Sequence, residues 1–267
     1  MTDRTHPPVS GAAFGANPSF VDLLRQAQPQ SVPASFTQPV NAADVPIPHG
    51  TTVLGLKYAD GVIMAGDRRA TAGYTVADPK MRKVFEADDY SAIAIAGAAG
   101  QAIEMVKLFQ LELEHYEKIT GDRLSLEGKA NRLAQMIRSN FPLAMQGLVV
   151  VPLFGGFDVG RGEGRIFFYD ATGGRWEEDD YQTTGSGGQP AKNSLKKRWR
   201  PGLARDEALR VAVEALVDAA EDDVATGGPD VARGIFPIAV DVTAVGASDV
   251  PEEQVAAAVA AVLEGRS

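Results

Sequence analysis

The chain has 267 residues, of which 45% are hydrophobic and 23% are charged, as in an ordinary globular protein with one or at most two domains. Its formal net charge of −9 argues against a nucleic-acid partner, which would need a basic face, and gives no reason to expect a membrane partner. The absence of cysteine excludes disulfides, thiolate metal sites and a cysteine nucleophile. No apolar run approaches the roughly 18 residues of a membrane span, and no signal peptide opens the chain, so we expect a cytoplasmic protein.

The first fifty residues differ from the rest of the chain. They contain eight of the sixteen prolines and only five charged side chains, so we expect an arm that is mostly extended or disordered and builds no core of its own. An exception is 19–27, where Ser19 and Asp22 resemble a capping box and Phe20, Leu23 and Leu24 share one helical face. This face predicts docking on another surface, and the alternative is a chance pattern.

From Thr51 onward the sequence predicts regular structure. Apolar β-branched runs and an Asp-Gly turn predict a hairpin of strands 52–58 and 62–66, followed by strands at 83–85 and 92–96. Helical spacing predicts one helix from about 103 to 116 and a second from 125 to about 146. Further strands are predicted at 148–157, 166–169 and 176–178, helices at 191–199 and 206–222, and a last strand at 235–242.

This order of elements indicates the fold class. Strands and helices come in clusters rather than in alternating βαβ units, which favours an α+β protein over one with a parallel sheet. Two antiparallel sheets packed face to face, each covered outside by a pair of helices, would bury every apolar face. We therefore predict a four-layer αββα sandwich.

Several common catalytic sites are excluded by the residues themselves. No P-loop motif is present, and beyond residue 50 the only histidine is His115, inside a predicted helix, which leaves a Ser-His-Asp triad without a base. Glu112 and His115 have the spacing of a carboxylate-bridged metal site, but such a site requires a second copy. We expect no metal and no cofactor.

A hydrolase without cysteine or a usable histidine can still use a hydroxyl with an amine as its base. The α-amino group has an unperturbed pKa of roughly 7.7–8.0 and accepts a proton near neutral pH. A threonine that becomes the first residue therefore carries both nucleophile and base. Here the low-charge arm ends at His49-Gly50, and the strand pattern begins at Thr51-Thr52.

Short segments make this hypothesis specific. They are Gly50-Thr51-Thr52-Val53-Leu54-Gly55, Gly66-Asp67-Arg68-Arg69-Ala70-Thr71, Ala96-Gly97-Ala98-Ala99, Gly185-Ser186-Gly187 and Asp223-Val224-Ala225-Thr226-Gly227-Gly228. Thr51, Asp67 and Lys83 are each sixteen residues apart. Together these segments resemble the 20S proteasome β-subunits of actinobacterial type, which have the same interval, and the resemblance covers nearly all of residues 51–267.

The resemblance implies the fold of the N-terminal nucleophile hydrolases and a role for each matching residue. Thr51 Oγ would attack the scissile carbonyl, Lys83 would supply a fixed positive charge, and Asp67 would orient Lys83. The N–H of Gly97 would stabilise the oxyanion. The hydrogen-bonding residues around the Thr51 amine would be Ser186, Asp223 and Thr226. Taken singly, Asp67 could be a turn residue, Lys83 a solvating charge and Asp223 a helix-end residue.

The resemblance also implies processing and specificity. Residues 1–50 would be a propeptide removed by self-cleavage between Gly50 and Thr51, leaving 51–267 as the catalytic domain. Glycine at position 50 would tolerate the tight backbone geometry that this cleavage demands. An apolar residue before the cut is expected, because the implied substrate pocket holds no acid or base. Its residues are Ala70, Thr71, Met81, Phe85, Ile95, Ala99 and Ile103.

The implied partners are proteasome α-subunits, other β-subunits in a seven-membered ring, an ATPase unfolding ring acting through the α-ring, and unfolded protein substrates. Two alternatives stay open at this point. One is another N-terminal nucleophile amidohydrolase that acts on small amides. The other is a non-catalytic ring subunit that serves as a scaffold, although the presence of Thr51, Asp67 and Lys83 argues against it.

Overall fold

The computed structural model describes residues 50–72 and 75–266. The amphipathic segment at 19–27, and all of the arm before residue 50, lie outside these ranges. Within them the strands are β1 (Thr52–Tyr58), β2 (Gly61–Gly66), β3 (Ala70–Ala72), β4 (Thr75–Asp78), β5 (Val84–Asp88), β6 (Ser91–Gly97), β7 (Val150–Asp158), β8 (Glu163–Tyr169), β9 (Arg175–Glu178), β10 (Tyr181–Gly185), β11 (Ile238–Thr243) and β12 (Gly246–Asp249). The helices are α1 (Ala99–Thr120), α2 (Leu126–Ser139), α3 (Phe141–Ala144), α4 (Gly188–Arg198), α5 (Arg205–Asp222) and α6 (Glu252–Glu264).

Two five-stranded antiparallel sheets form the centre of the domain. The first has the strand order β10-β1-β2-β11-β12 and the second has the order β5-β6-β7-β8-β9, while β3 and β4 form a separate ribbon. Every pairing in both sheets is antiparallel, which confirms the predicted α+β sandwich.

Three apolar layers hold the sandwich together, and β1 shows why. Val53 packs between the two sheets, whereas Leu54 and Leu56 face outward against the helices of the first sheet. Successive side chains of a strand point to opposite faces, so a strand covered on both sides is apolar throughout. Helices α4, α5 and α6 cover the first sheet, and α1 and α2 cover the second.

The prediction of one helix from 125 to about 146 is wrong at its C-terminal end. Ser125 caps α2 as expected, by accepting a hydrogen bond from the N–H of Gly128. The helix ends at Ser139, and a separate short turn, α3, contains Pro142. Proline lacks an N–H and its ring clashes with the preceding turn, so it separates the two helices.

The first helix is longer than predicted and faces differently. It ends at Thr120 and is capped by Gly121, which adopts a left-handed conformation. Leu108 and Leu111 share the apolar spacing that predicted this helix, but both are more than half exposed. The buried side chains of the helix are Ala102, Met105, Val106, Phe109 and Leu113.

Four strands and one helix were absent from the prediction: β3, β4, β10, β12 and α6. Helix α6 had a readable signal, because Val255, Val259 and Val262 follow helical spacing behind two glutamates in the first turn. This third helix extends one outer layer beyond the predicted pair. Strand β10 is polar and becomes a strand by pairing along β1.

Candidate active site

The β1–β2 hairpin positions the first two residues of the candidate site. Thr51 directly precedes β1, and Val53 of β1 pairs with Gly66 at the end of β2. Asp67 follows Gly66 and therefore lies beside Thr52. The N–H of Asp67 donates to Thr52 O at 3.0 Å, and the N–H of Thr52 donates to Asp67 Oδ1 at 2.8 Å.

Lys83, one residue before β5, completes a buried ion pair with Asp67. Its Nζ lies 2.7 Å from Asp67 Oδ1, and both side chains are fully buried. The same ammonium donates to Arg69 O at 2.5 Å and to Gly50 O at 3.2 Å. Burial lowers the pKa of Lys83, and the negative charge of Asp67 opposes this shift.

The Asp67 carboxylate accepts four hydrogen bonds and so joins distant segments. Besides Lys83 and the N–H of Thr52 on Oδ1, its Oδ2 accepts from the N–H of Arg69 at 2.9 Å and from that of Gly227 at 2.8 Å. Gly227 belongs to the connection between α5 and β11. A buried carboxylate that accepts four hydrogen bonds is fixed in position and holds its lysine partner in one place.

Thr51 itself is 7% exposed, and its hydroxyl donates to the carbonyl oxygen of Gly50 at 2.7 Å. That oxygen therefore receives two donors, the hydroxyl of Thr51 and the ammonium of Lys83. In the full-length chain the nitrogen of Thr51 is still an amide. The carbonyl of the peptide bond before Thr51 is thus contacted by two groups that the sequence predicted to be functional, the Thr51 hydroxyl and the Lys83 ammonium.

Glycine is required at position 50 for space rather than for an unusual backbone angle. Gly50 does not adopt a positive φ. A Cβ placed there would lie 2.4 Å from Thr71 Oγ1 and 2.8 Å from both Ala225 Cβ and Ala225 O. This crowding replaces the conformational reason given by the sequence.

Ser186, Asp223 and Thr226 meet on the other side of Thr51. The hydroxyls of Ser186 and Thr226 donate to Asp223 Oδ2 at 2.5 Å and 2.6 Å. The N–H of Ser186 donates to Thr51 O at 2.9 Å. Burial alone would raise the pKa of Asp223, but the hydrogen bonds from Ser186 and Thr226 outweigh burial and lower it. Asp223 is therefore an anion at neutral pH.

Gly97, at the end of β6, borders a cavity of about 200 Å³ beside Thr51. Its φ is +114°, and a Cβ there would lie 2.0 Å from Val149 O, so only glycine fits. No charged side chain lines this cavity. Its lining residues are Gly50, Thr51, Ala96, Gly97, Val149, Val151, Thr184, Gly185 and Ser186.

None of the seven residues predicted to line the substrate pocket borders this cavity. Ile95 is buried in the core beneath α1 and α2, and Phe85 and Ile103 pack against that core. Ala70 and Thr71 are buried, while Met81 and Ala99 are half-buried. The Thr71 hydroxyl lies next to Gly50. The pocket assignment therefore stays a prediction.

Sequence reasoning missed some residues that the structure places at the site. Thr52 is fully buried beside Asp67, and Gly187 packs so closely that a Cβ would lie 2.4 Å from Thr52 Oγ1. The only sequence signal for Thr52 was the threonine pair itself, and the hypothesis of an N-terminal nucleophile used only the first threonine of the pair. Val149 and Val151 gave no signal, because they come to the cavity through the pairing of β6 with β7.

Across residues 50–72 and 75–266, no group of three or more His, Asp or Glu side chains could hold a metal ion. Glu112, the candidate ligand with His115, forms an ion pair with Arg132. No helix in the same ranges is long and apolar enough to cross a membrane.

Two facing antiparallel sheets, covered by helices and carrying a buried threonine at the start of a central strand, define the α+β sandwich of the N-terminal nucleophile hydrolases. Comparison with known proteins agrees. The sequence model of the family described as "Proteasome subunit" matches residues 47–232. A protein from Streptomyces griseus subsp. griseus called "Proteasome subunit beta" is 54% identical over 248 residues, which cover 93% of this chain and 88% of that protein.

The chain belongs to the proteasome subunit family, and its likeness to this relative places it with the bacterial β-subunits. Membership in this family implies a part in a protease that assembles from several proteasome subunits.

Proposed function

We propose that the chain is the precursor of a threonine endopeptidase, and that Thr51 becomes its N-terminal nucleophile by self-cleavage of the Gly50–Thr51 bond. The observation that carries this proposal is the contact between the Thr51 hydroxyl and Gly50 O at 2.7 Å, with Lys83 Nζ at 3.2 Å from the same oxygen. The proposed nucleophile, the carbonyl that it would attack and the positive charge of Lys83 thus lie at one peptide bond. The start of the family match at residue 47 gives further support.

Self-cleavage would proceed through an N-to-O acyl shift. Thr51 Oγ forms a bond to the carbonyl carbon of Gly50 as its proton passes to a water molecule, and negative charge develops on Gly50 O. The Lys83 ammonium faces that oxygen and stabilises the charge. The C–N bond then breaks as the Thr51 nitrogen takes up that proton from the water molecule, which leaves an ester on Oγ and frees the α-amine of Thr51. A second water molecule hydrolyses the ester, which releases residues 1–50 as an acid and restores the Oγ hydroxyl.

Peptide hydrolysis would then reuse the same hydroxyl. The free α-amine takes the proton of Thr51 Oγ, directly or through a water molecule, as the oxygen attacks a substrate carbonyl. The N–H of Gly97, at the cavity beside Thr51, is the proposed oxyanion donor. Ser186, Asp223 and Thr226 surround the position of the amine and hold it by hydrogen bonds. The protonated α-amine then gives its proton to the leaving nitrogen as the substrate C–N bond breaks, which leaves an acyl-enzyme ester. Water finally cleaves this ester and restores the Thr51 hydroxyl.

Lys83 acts on this reaction through its charge. Before cleavage its three N–H bonds have acceptors in Asp67, Arg69 and Gly50, and Asp67 and Arg69 remain after cleavage, so in this proposal Lys83 acts as a cation rather than as a free base. A buried positive charge favours the deprotonated form of neighbouring groups, including the attacking hydroxyl. Asp67 fixes the position of that charge.

The proposed preference is for an apolar residue before the cut. The support is that the cavity beside Thr51 is lined by small and apolar side chains and by two hydroxyl-bearing ones, with no charged group. The pocket predicted from the sequence contains no charge either. Peptides that differ only in the residue before the cut test this preference, and equal kcat/KM for leucine and aspartate peptides would contradict it.

The proposed setting is a bacterial 20S proteasome in the cytoplasm. Seven β-subunits form a ring, two such rings stack between α-rings, and an ATPase ring feeds unfolded proteins through the α-ring. This proposal rests on the family and on the relative from Streptomyces griseus subsp. griseus. No nucleic acid, membrane, metal or cofactor is part of it.

Mass spectrometry of the purified protein with co-expressed α-subunit separates this function from its rivals. We expect a chain that begins at Thr51, in a large particle that cleaves peptides. A particle in which residues 1–50 remain attached and no peptide is cleaved would favour a scaffold subunit. A small processed protein would favour an amidohydrolase of the same fold.

A further inference from the structure

Thr52, the residue after the proposed nucleophile, is held more tightly than its place in a strand requires. Its side chain is fully buried. Its Oγ1 accepts a hydrogen bond from the N–H of Gly187 at 3.0 Å and lies 2.6 Å from Thr226 Oγ1. None of the roles proposed above uses this hydroxyl.

The direction of these hydrogen bonds follows from counting protons. Asp223 is an anion and can only accept, and Thr226 gives its single hydroxyl proton to Asp223 Oδ2 at 2.6 Å. Thr226 Oγ1 must therefore accept from Thr52 Oγ1. The result is a one-way chain, defined here as the hydroxyl relay, that runs from the N–H of Gly187 through Thr52 and Thr226 to Asp223.

The backbone around Thr52 is fixed as well. The N–H of Thr52 donates to Asp67 Oδ1 at 2.8 Å, and the oxygen of the same peptide group, Thr51 O, accepts from the N–H of Ser186 at 2.9 Å. The peptide unit that joins Thr51 to Thr52 is thus held at both polar atoms. The hydroxyl relay adds a third point on the side chain of Thr52.

Gly187 shows that the site is built around this relay. A Cβ at Gly187 would lie 2.4 Å from Thr52 Oγ1 and 2.5 Å from Thr226 Oγ1. Those distances are far below an ordinary contact, so any larger residue would displace both hydroxyls. The relay therefore depends on glycine at this position.

We propose that Thr52 is a positioning residue for the reaction of Thr51: its N–H is bound to Asp67 on the Lys83 side of the site and its hydroxyl is bound into the relay on the Asp223 side, so the two contacts together fix where the Thr51 hydroxyl and amine stand. This inference rests on the proposed function. In this role Thr52 does not contact the substrate. Loss of the Thr52 hydroxyl therefore lowers kcat and leaves KM unchanged, because the geometry of the nucleophile changes and the substrate-binding surface does not.

The test compares Thr52→Val, which keeps the shape and loses the hydroxyl, with Thr52→Ser, which keeps the hydroxyl. We expect Thr52→Val to lower kcat for a fluorogenic peptide by about tenfold, as for the loss of one buried hydrogen bond, with KM within twofold. Thr52→Ser should restore kcat to within about threefold of wild type. Thr183→Val is the matched control, since Thr183 is buried on β10 and donates to Gly188 O outside the relay.

All values are measured on assembled particles. If Thr52→Val does not assemble, Thr52→Ala replaces it, because alanine removes the hydroxyl without adding bulk. Wild-type kcat in Thr52→Val, an equal loss in Thr183→Val, or no rescue by serine would each overturn the inference. The proposed function is tested separately by Thr51→Ala, and peptidase activity in that variant would refute the assignment of Thr51 as the nucleophile. A fully active Thr52→Val beside an inactive Thr51→Ala would refute only the positioning role of Thr52.

Discussion

Lys83 and Asp67 form an ion pair of 2.7 Å in which neither side chain is exposed to solvent. A buried ion pair is weak evidence for stability, because desolvation of both charges offsets their attraction. Here the lysine also points at Gly50 O, the carbonyl next to Thr51. This contact supports the proposed role of the pair in the chemistry of Thr51.

Replacing Lys83 by alanine should abolish peptidase activity while leaving the fold and the assembly intact. The Asp67 carboxylate keeps three backbone donors, the N–H groups of Thr52, Arg69 and Gly227, so its charge remains hydrogen-bonded. Removing a preorganised charge from a reaction centre costs on the order of 10²–10³ in kcat. Native mass spectrometry reports assembly, and peptide turnover reports activity.

Lys129→Ala is the matched control for this variant. Lys129 is also buried and pairs with Asp88 at 2.5 Å, but it belongs to α2, on the outer side of the second sheet. It should lower stability without lowering turnover in the assembled particle. A Lys83→Ala particle with turnover within tenfold of wild type would rule out the electrostatic role.

The site residues were connected with Thr51 mainly through resemblance to a family. For Asp67 there is also a local reason, because Thr51 and Asp67 flank one hairpin, whose Asp-Gly turn and apolar runs are readable. Asp223 and Thr226 lie more than 150 residues further along the chain, and only resemblance to a family connected them with Thr51. Thr52 was missed because nothing in a strand pattern reveals which hydroxyl another segment will meet.

The fold likewise has some features that local sequence predicts and others that depend on residues distant in the chain. Helix α2 began where its serine cap predicted, but its end depended on Pro142. Strand β10 is polar, and it forms only because β1 offers it an edge. The cavity beside Thr51 collects residues from several separate strands, so its lining could not be derived from spacing along the chain.

Gly50→Ala should slow self-cleavage at least about a hundredfold, because displacing a reacting group by about 1 Å lowers a rate by about that factor. The added Cβ would lie 2.4 Å from Thr71 Oγ1 and would push the Gly50 carbonyl away from the Thr51 hydroxyl. The measurement is the fraction of processed chain over time by mass spectrometry. Particles that do mature should have normal turnover, since residue 50 is absent from them.

Gly100→Ala provides the comparison for the glycine change. Gly100 lies in α1, and a Cβ there meets nothing within 4 Å. It should be processed at the wild-type rate. Equal processing rates for Gly50→Ala and wild type would show that crowding at Gly50 does not control the cleavage.

Asp223 should contribute stability that depends on pH. Its pKa is lowered in the folded protein, so its contribution is present above the unfolded pKa of about 3.9 and is lost as the pH falls through the folded value. We expect Asp223→Asn to have a lower Tm than wild type at pH 7, with a difference that shrinks below about pH 4.

Asp222→Asn serves as the control for Asp223→Asn, because Asp222 is the exposed neighbour at the end of the same helix. It should show no comparable pH-dependent difference in Tm. If the Asp223→Asn difference stayed constant from pH 7 to pH 3, the hydrogen bonds from Ser186 and Thr226 would not be stabilising the ionised carboxylate.

One hydroxyl, that of Thr51, is proposed both to release the arm and to cleave peptides. The test measures the intact mass and the peptide turnover of Thr51→Ala beside those of Thr51→Ser, each co-expressed with α-subunit. We expect Thr51→Ala to keep residues 1–50 and to show no turnover, while Thr51→Ser, which retains a hydroxyl, loses them and cleaves peptides. A Thr51→Ala chain that begins at residue 51, or that cleaves peptides, would refute the shared role of this hydroxyl.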